Sequence, residues 1–248
     1  MNVYNKILIL GYGYTAHFLK RALKNQYPQS EVLTTSRNKG GPHLNFNLED
    51  EATWSHLPTV DATFWTFPAT PLENVKSFFL SQQQSLGKLI TLGSTSAFLP
   101  KEGEQVYNER SRLDLEQERV QGEEFLRRQG GVTLFSAGIY GPERDPRDWV
   151  HRGLVGKSQK LVNMIHVEDL CQFMIQALEL GQTGNRYIAS DNNPQRWEDV
   201  ISYWEDKHWV HNVPIKESTR PSKIISNQNS IEQLNVQIKY PDFKKLDF

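Results

Sequence analysis

Lys6-Ile7-Leu8-Ile9-Leu10-Gly11-Tyr12-Gly13-Tyr14-Thr15-Ala16 is the stretch on which the fold turns. Four consecutive aliphatic residues read as a short strand covered on both faces, and they run without a break into glycine. The glycines form a GxGxxA pattern followed by an amphipathic stretch, so the expected local form is strand, tight turn, helix. Gly11 permits the turn, Gly13 keeps a Cβ away from an approaching pyrophosphate, and Ala16 lets helix and strand pack closely. The backbone from Gly11 through Tyr12, Gly13, Tyr14 and Thr15 then meets the phosphates at the positive end of a helix dipole.

Outward from this turn, short β-rich runs alternate with amphipathic segments. Strands are expected at 6–10, 31–36, 43–48, 62–67, 88–92, 132–139 and 185–189, and helices at 15–26, 72–86, 112–129, 167–180 and 197–207. The alternation predicts an α/β protein: a doubly wound parallel sheet of Rossmann type with a small C-terminal substrate lobe. Residues 1–140 are expected to form the dinucleotide-binding core. Residues 141–248 interleave late sheet elements with the lobe, and periodicity fades from His208 onward.

Composition narrows the partners. In 248 residues, 28 basic side chains nearly cancel 29 acidic ones to leave a net charge of −1, so a broad positive field for nucleic acid or an anionic membrane is not expected. Cys171 is the single cysteine, which excludes an internal disulfide framework and fits a reducing, cytoplasmic location. Apolar runs are too short to span a bilayer or to form a signal-peptide core.

The end of the second strand sets cofactor choice. A carboxylate there binds the 2′-hydroxyl of NAD, whereas a basic side chain suits the 2′-phosphate of NADP. This strand ends in Thr35-Ser36-Arg37 with no acid, so NADP is favoured over NAD, with Ser36 and Arg37 as contacts and Lys39 as an addition to the same anion pocket.

Several further motifs, in order, resemble the short-chain dehydrogenase/reductase superfamily, in its extended and atypical branch of epimerase/dehydratase-like proteins. Asn47-Leu48 stands at the adenine-contacting pair and Phe67-Pro68-Ala69 at the end of the fourth strand. Gly93-Ser94-Thr95-Ser96 is similar to the serine-rich end of strand five. Gly138-Ile139-Tyr140-Gly141-Pro142 resembles the loop after strand six, and Asn163 to Leu170 the N-x-IHVxDL helix start. The resemblance implies cofactor contacts from Asn47, Leu48, Phe67, Pro68, Ala69 and Ile139, a small-molecule substrate such as a nucleotide sugar, and a homo-oligomer as one option. It also implies a serine that holds the substrate, a tyrosine acid/base and a lysine four residues later.

Ser94 takes the serine position. The Tyr-xxx-Lys pair is missing: alignment on Glu123 and Leu126 puts Leu115 at the tyrosine and Arg119 at the lysine, where Arg119 can bind a ribose or phosphate but is a poor proton shuttle. Tyr107 is the nearest tyrosine and the substitute candidate acid. His166 reads as a helix-start residue, and His208 with His211 lacks a third metal ligand. Ser94 has no GxSxG context, and no P-loop lysine follows the glycines. Two readings stand: an NADP(H)-preferring oxidoreductase or nucleotide-sugar epimerase/dehydratase-like enzyme, and a dinucleotide-binding sensor that has lost proton transfer.

Overall fold

The computed structural model describes residues 3–38, 41–103, 105–216 and 221–245. Its centre is a seven-stranded sheet in which every pairing is parallel. In chain order β1 is Lys6–Leu10, β2 Glu31–Ser36, β3 Leu44–Asn45, β4 Ala62–Trp65 and β5 Lys88–Ser94; Val132–Ser136 and Arg186–Ala189 complete it. Across the sheet the order is Arg186–Ala189, Val132–Ser136, β5, β4, β1, β2, β3. The winding reverses between β1 and β4, the crevice where such sheets bind ligands.

The aliphatic run of β1 is continuous because both faces are covered. Ile7 and Ile9 join a core beneath α1 (Tyr14–Gln26) and α5 (Val167–Leu180); Leu8 and Leu10 join another beneath α2 (Leu72–Gln82) and α3 (Glu118–Arg128). Helix α1 forms because Ala16, Leu19 and Leu23 recur on one face and are buried there. α5 begins and ends where the sequence places it.

The lobe has its own core. Tyr140, Met164, Trp197, Trp204 and Phe243 gather around α6 (Trp197–Asp206) with Val150 of the short α4 (Pro146–His151). Part of the late chain goes elsewhere: Lys223–Ile225 pairs in parallel with Gln105–Tyr107, and α7 (Gln228–Leu234) packs on α5 and the Arg186–Ala189 strand. No helix among the described residues is long and apolar enough to cross a membrane.

Several boundaries differ from expectation for nonlocal reasons. The charged segment from Arg112 becomes helical only at Glu118, because Leu99 N–H donates to Arg112 O and Asp114 N–H to Ala97 O, holding 112–114 against the preceding loop. The expected strand 132–139 breaks at Ala137; Gly138–Tyr140 leaves the sheet to pair with Met164–His166. Only Leu44–Asn45 of the expected third strand pairs, since Asn47 is drawn into hydrogen bonds with Thr53 and Trp54. The fourth strand stops at Trp65, and α2 stops at Gln82.

Candidate functional site

A cavity of about 480 Å³ opens at the carboxyl ends of β1, β2 and β4, lined by Gly11–Gly13, Thr35–Asn38, Phe46–Glu49, Phe67, Pro68 and Thr70. It therefore brings together Gly11, Tyr12, Gly13, Ser36, Arg37, Asn47, Leu48, Phe67 and Pro68 of the sequence-derived set. Gly11 has φ +86°, and a Cβ there would lie 2.9 Å from Phe67 Cδ1. Its N–H donates to Thr35 Oγ1 at 2.8 Å, while Thr66 Oγ1 donates to the carbonyls of Leu10 and Gly11, each at 2.9 Å. Two threonine hydroxyls at neighbouring strand ends thus fix the turn. Sequence reading missed both; hydroxyl residues closing the two strands that flank β1 are the signal.

Gly13 caps α1 without any side-chain hydrogen bond, and no acidic residue stands in the first turn. A Cβ on Gly13 would meet nothing within 4 Å. The helix start is accordingly an open, positively polarised cradle, and a dinucleotide pyrophosphate fits its chemistry. Thr15 and Ala16 are buried beneath it. Tyr14 turns away to donate its hydroxyl to Pro142 O at 2.9 Å, with Arg144 5.5 Å over its ring. Burial pushes that phenol up to about 12 although Arg144 pulls the other way, so it stays a neutral donor. This bond docks the loop after Ile139 onto the glycine turn.

At the far end of the cavity Arg37 is exposed, and its guanidinium has no carboxylate partner among the described residues. Ser36 Oγ accepts from Asn38 N–H at 3.1 Å. Lys39 lies outside the described residues. Asn47 accepts through its backbone carbonyl from Thr53 Oγ1 at 3.1 Å and Trp54 Nε1 at 3.0 Å. Ala69 is buried, and its carbonyl is where a Cβ on Gly122 of α3 would collide.

The end of β5 carries a hydrogen-bonded chain of side chains. Ser96 Oγ donates to Ser94 Oγ at 3.0 Å and receives Arg119 Nη2 at 3.2 Å. Arg119 also donates to Gln117 Oε1 at 3.2 Å and, through Nη1, to Glu123 Oε1 at 2.8 Å. Glu123 is 1% exposed, and its Oε2 has no hydrogen-bond partner among the described residues. Burial pushes this carboxyl up to about 7 against the pull of Arg119, with Glu124 adding to the rise. Leu115, at the position aligned with a tyrosine, is 49% exposed.

Tyr107 is 1% exposed, packs on Phe98, and accepts Lys101 N–H at its hydroxyl at 2.9 Å. Lys223 sits 5.5 Å over its ring and donates to Phe98 O at 2.7 Å and Thr95 O at 3.3 Å. Sequence reading missed Lys223, which lies in the stretch without periodicity. Burial holds its ammonium pKa below the ordinary value although Asp114 opposes the shift.

The N-x-IHVxDL segment acts as an anchor. His166 Nδ1 accepts Glu168 N–H at 3.2 Å as the cap of α5, and burial pushes the imidazole down to about 4. Its ring stacks 3.7 Å from that of Tyr240, while the Asp169 carboxylate receives the N–H groups of Lys239 and Tyr240 at 3.1 and 2.9 Å.

No family model matches the sequence, and no curated protein matches it either. Solved structures do match in shape. A Methylobacillus flagellatus protein described as an NAD-dependent epimerase/dehydratase is 22% identical, with 98% of this chain and 96% of that one covered at a TM-score of 0.76. The dTDP-glucose 4,6-dehydratase of Bacillus anthracis, in complex with NAD, is 12% identical over 97% and 94% of the two chains at 0.77. A short-chain dehydrogenase/reductase superfamily protein of Agrobacterium tumefaciens with bound NAD gives 12%, 97%, 94% and 0.77 in the same order. With its parallel sheet, its switch-point cavity and these neighbours, the chain has the fold of the NAD-dependent epimerase/dehydratase and short-chain dehydrogenase/reductase proteins.

Proposed function

We propose that this protein binds a nicotinamide dinucleotide, prefers NADP(H), and works as an oxidoreductase or epimerase/dehydratase-type enzyme on a small molecule such as a nucleotide sugar. The observation that carries the cofactor choice is Arg37, exposed in the cavity at the end of β2 with no carboxylate beside it in Thr35–Asn38. When bound, the dinucleotide supplies a hydride donor or acceptor.

The chain's own residues do the rest. The open backbone from Gly11 to Thr15 holds the pyrophosphate, Arg37 and Ser36 take the 2′-phosphate, and Asn47, Leu48, Phe67, Pro68 and Ala69 enclose the adenosine half. Ile139 lies in the strand that leads to the loop tied to Tyr14, outside the cavity lining. Ser94 Oγ, fixed by Ser96, orients a substrate hydroxyl, and Arg119 supplies a fixed positive charge beside it. Tyr107 is the one tyrosine near this corner offered as a proton donor.

A second reading has its own support: an aliphatic Leu115 at the tyrosine position and an Arg119 tied to Glu123 fit a cofactor-binding sensor without proton transfer. Titrating NADPH and NADH into the purified protein while following fluorescence tests the shared premise. Binding of NADPH tighter than NADH is expected, with Arg37→Ala eroding the NADPH preference by about tenfold and leaving NADH unchanged. Absence of binding for both below about millimolar sinks the premise. Turnover on a panel of aldehydes, ketones and nucleotide sugars then separates enzyme from sensor.

A further inference from the structure

A second concave site lies at the opposite end of the sheet from the glycine turn. Arg186 opens the last strand, Arg127 lies in the last turn of α3, and since all strands run parallel both sit at the edge remote from the end of β1. With Arg110 and the amides of Asn185, Asn229 and Gln233, they line a cavity of about 440 Å³.

The acidic groups at this cavity are already engaged. Glu124, 4% exposed, receives Arg127 through Nε and Nη2 at 2.9 and 3.0 Å, and Arg186 through Nε and Nη2 at 3.0 and 2.6 Å. Burial pushes the Glu124 carboxyl up, but those bonds outweigh it and hold it below its ordinary value, so it stays ionised. Glu109 accepts the N–H of Ser230 at 3.1 Å and also its hydroxyl. Three guanidiniums therefore face two carboxylates. Arg186 Nη1 and the whole Arg110 guanidinium have no protein acceptor among the described residues.

Arginine presents a planar fork that matches the oxygens of a phosphoryl or carboxylate group, and a cavity of this volume suits a small molecule. In a chain whose net charge is −1, such a local excess of positive charge is not part of a general basic surface. We propose that Arg110 and the Nη1 of Arg186 form a binding site for a small oxyanion, separate from the dinucleotide cavity, with Arg127, whose Nη1 donates to Gly184 O at 2.6 Å, as its fixed positive wall. Arg127 and Arg186 are held rigid by Glu124, and Arg110 closes on the ligand from the exposed side.

The test is calorimetric titration of the full chain with inorganic phosphate, pyrophosphate and citrate at matched ionic strength. Saturable binding of at least one is expected, weakened about tenfold or more by Arg110→Ala and unchanged by Lys207→Ala, an exposed cation that lines neither cavity. Arg110 is exposed and makes no side-chain bond, so its removal leaves the fold intact. Preference for phosphate or pyrophosphate assigns a phosphoryl ligand, and preference for citrate a carboxylate. The proposal is overturned if nothing saturates below about 10 mM, or if Arg110→Ala binds as the parent does, which would put the anion elsewhere, the glycine turn included. Because the outcome is read on Arg110, which lines this cavity and not the dinucleotide one, it stands or falls apart from the cofactor reading.

Discussion

At the end of β1 the hydroxyls of Thr35 and Thr66 serve the backbone of the glycine turn, and the N-terminus of α1 and Arg37 are left facing a cavity. At the end of β5, two strands away, Ser94, Ser96, Gln117 and Glu123 are linked through Arg119 in one network. Open donors around a cavity are built to receive a charged ligand. A network centred on one guanidinium fixes the position of a charge but offers no group with the reach of a Tyr-xxx-Lys pair. Under the proposed function the contrast assigns recognition to β1 and β2, and to β5 positioning by Ser94 and Arg119.

The packing that joins the two regions is the most sensitive point. Gly122 of α3 lies so close to the Ala69 carbonyl that a Cβ would overlap it, and no flexible side chain is there to give way. Gly122→Ala should push α3 off the end of the β4 loop and cost about 3 kcal/mol, lowering the melting temperature by roughly 6–12 °C. A melt within about 2 °C of the parent would mean the helix shifts freely, and the coupling between the corners would be lost as an idea.

Glu123 carries the next effect, and its sign follows from linkage. Burial raises its folded pKa from an ordinary 4.5 to about 7, with Arg119 opposing and Glu124 reinforcing. The folded state therefore holds this proton where the unfolded chain has released it. Its contribution to stability is intact below the unfolded pKa and declines as pH rises through the window up to about 7. Urea unfolding between about pH 5 and pH 8 should show Glu123→Gln losing about 2 kcal/mol less than the parent over that range. Asp191, raised by burial to about 8 and 4% exposed, pulls in the same direction and remains in both proteins. Parallel pH profiles would show that Glu123 is ionised in the fold, and the network at β5 would then be a plain ion pair.

Gly13 offers the converse of Gly122. A Cβ there meets nothing within 4 Å, so Gly13→Ala should alter stability by no more than about 1 kcal/mol, the scale of an N-cap change. A cofactor that approaches the cradle closely should nevertheless lose about tenfold or more in affinity. Unchanged dinucleotide affinity in this variant would show that the pyrophosphate does not approach at Gly13.

The same division explains what the sequence discloses. Gly11, Gly13 and Ala16 are legible because a tight turn and a close helix–strand approach admit few residue types, so identity and geometry are nearly one statement. The place of Arg37 at the cavity is legible because it is the first residue past a strand, Glu31–Ser36, whose neighbours fix its position. The start of α3 is not, because Arg112 and Asp114 are held out of the helix by backbone bonds to Leu99 and Ala97, which no local pattern records. Nor is the role of Asp169, whose partners are the backbone amides of Lys239 and Tyr240, some 70 residues on. Lys223 reaches the β5 loop from a short edge pairing, Lys223–Ile225 with Gln105–Tyr107, too brief to show periodicity.

Tyr107 gives the smallest expected effect and the sharpest question about β5. Its hydroxyl accepts Lys101 N–H and its ring lies between Phe98 and the Lys223 ammonium, 1% exposed. In Tyr107→Phe the amide of Lys101 loses its acceptor, at about 1 kcal/mol. Ring packing persists, and dinucleotide affinity should not change. If positioning by Ser94 and Arg119 suffices, with the proton exchanged through water, turnover of any substrate found should survive Tyr107→Phe and fall in Ser94→Ala. A fall of about a hundredfold or more in Tyr107→Phe with cofactor binding intact would instead make this phenol the proton donor. The closed corner would then have to open during turnover, because the bond to Lys101 must break before the hydroxyl can reach a substrate.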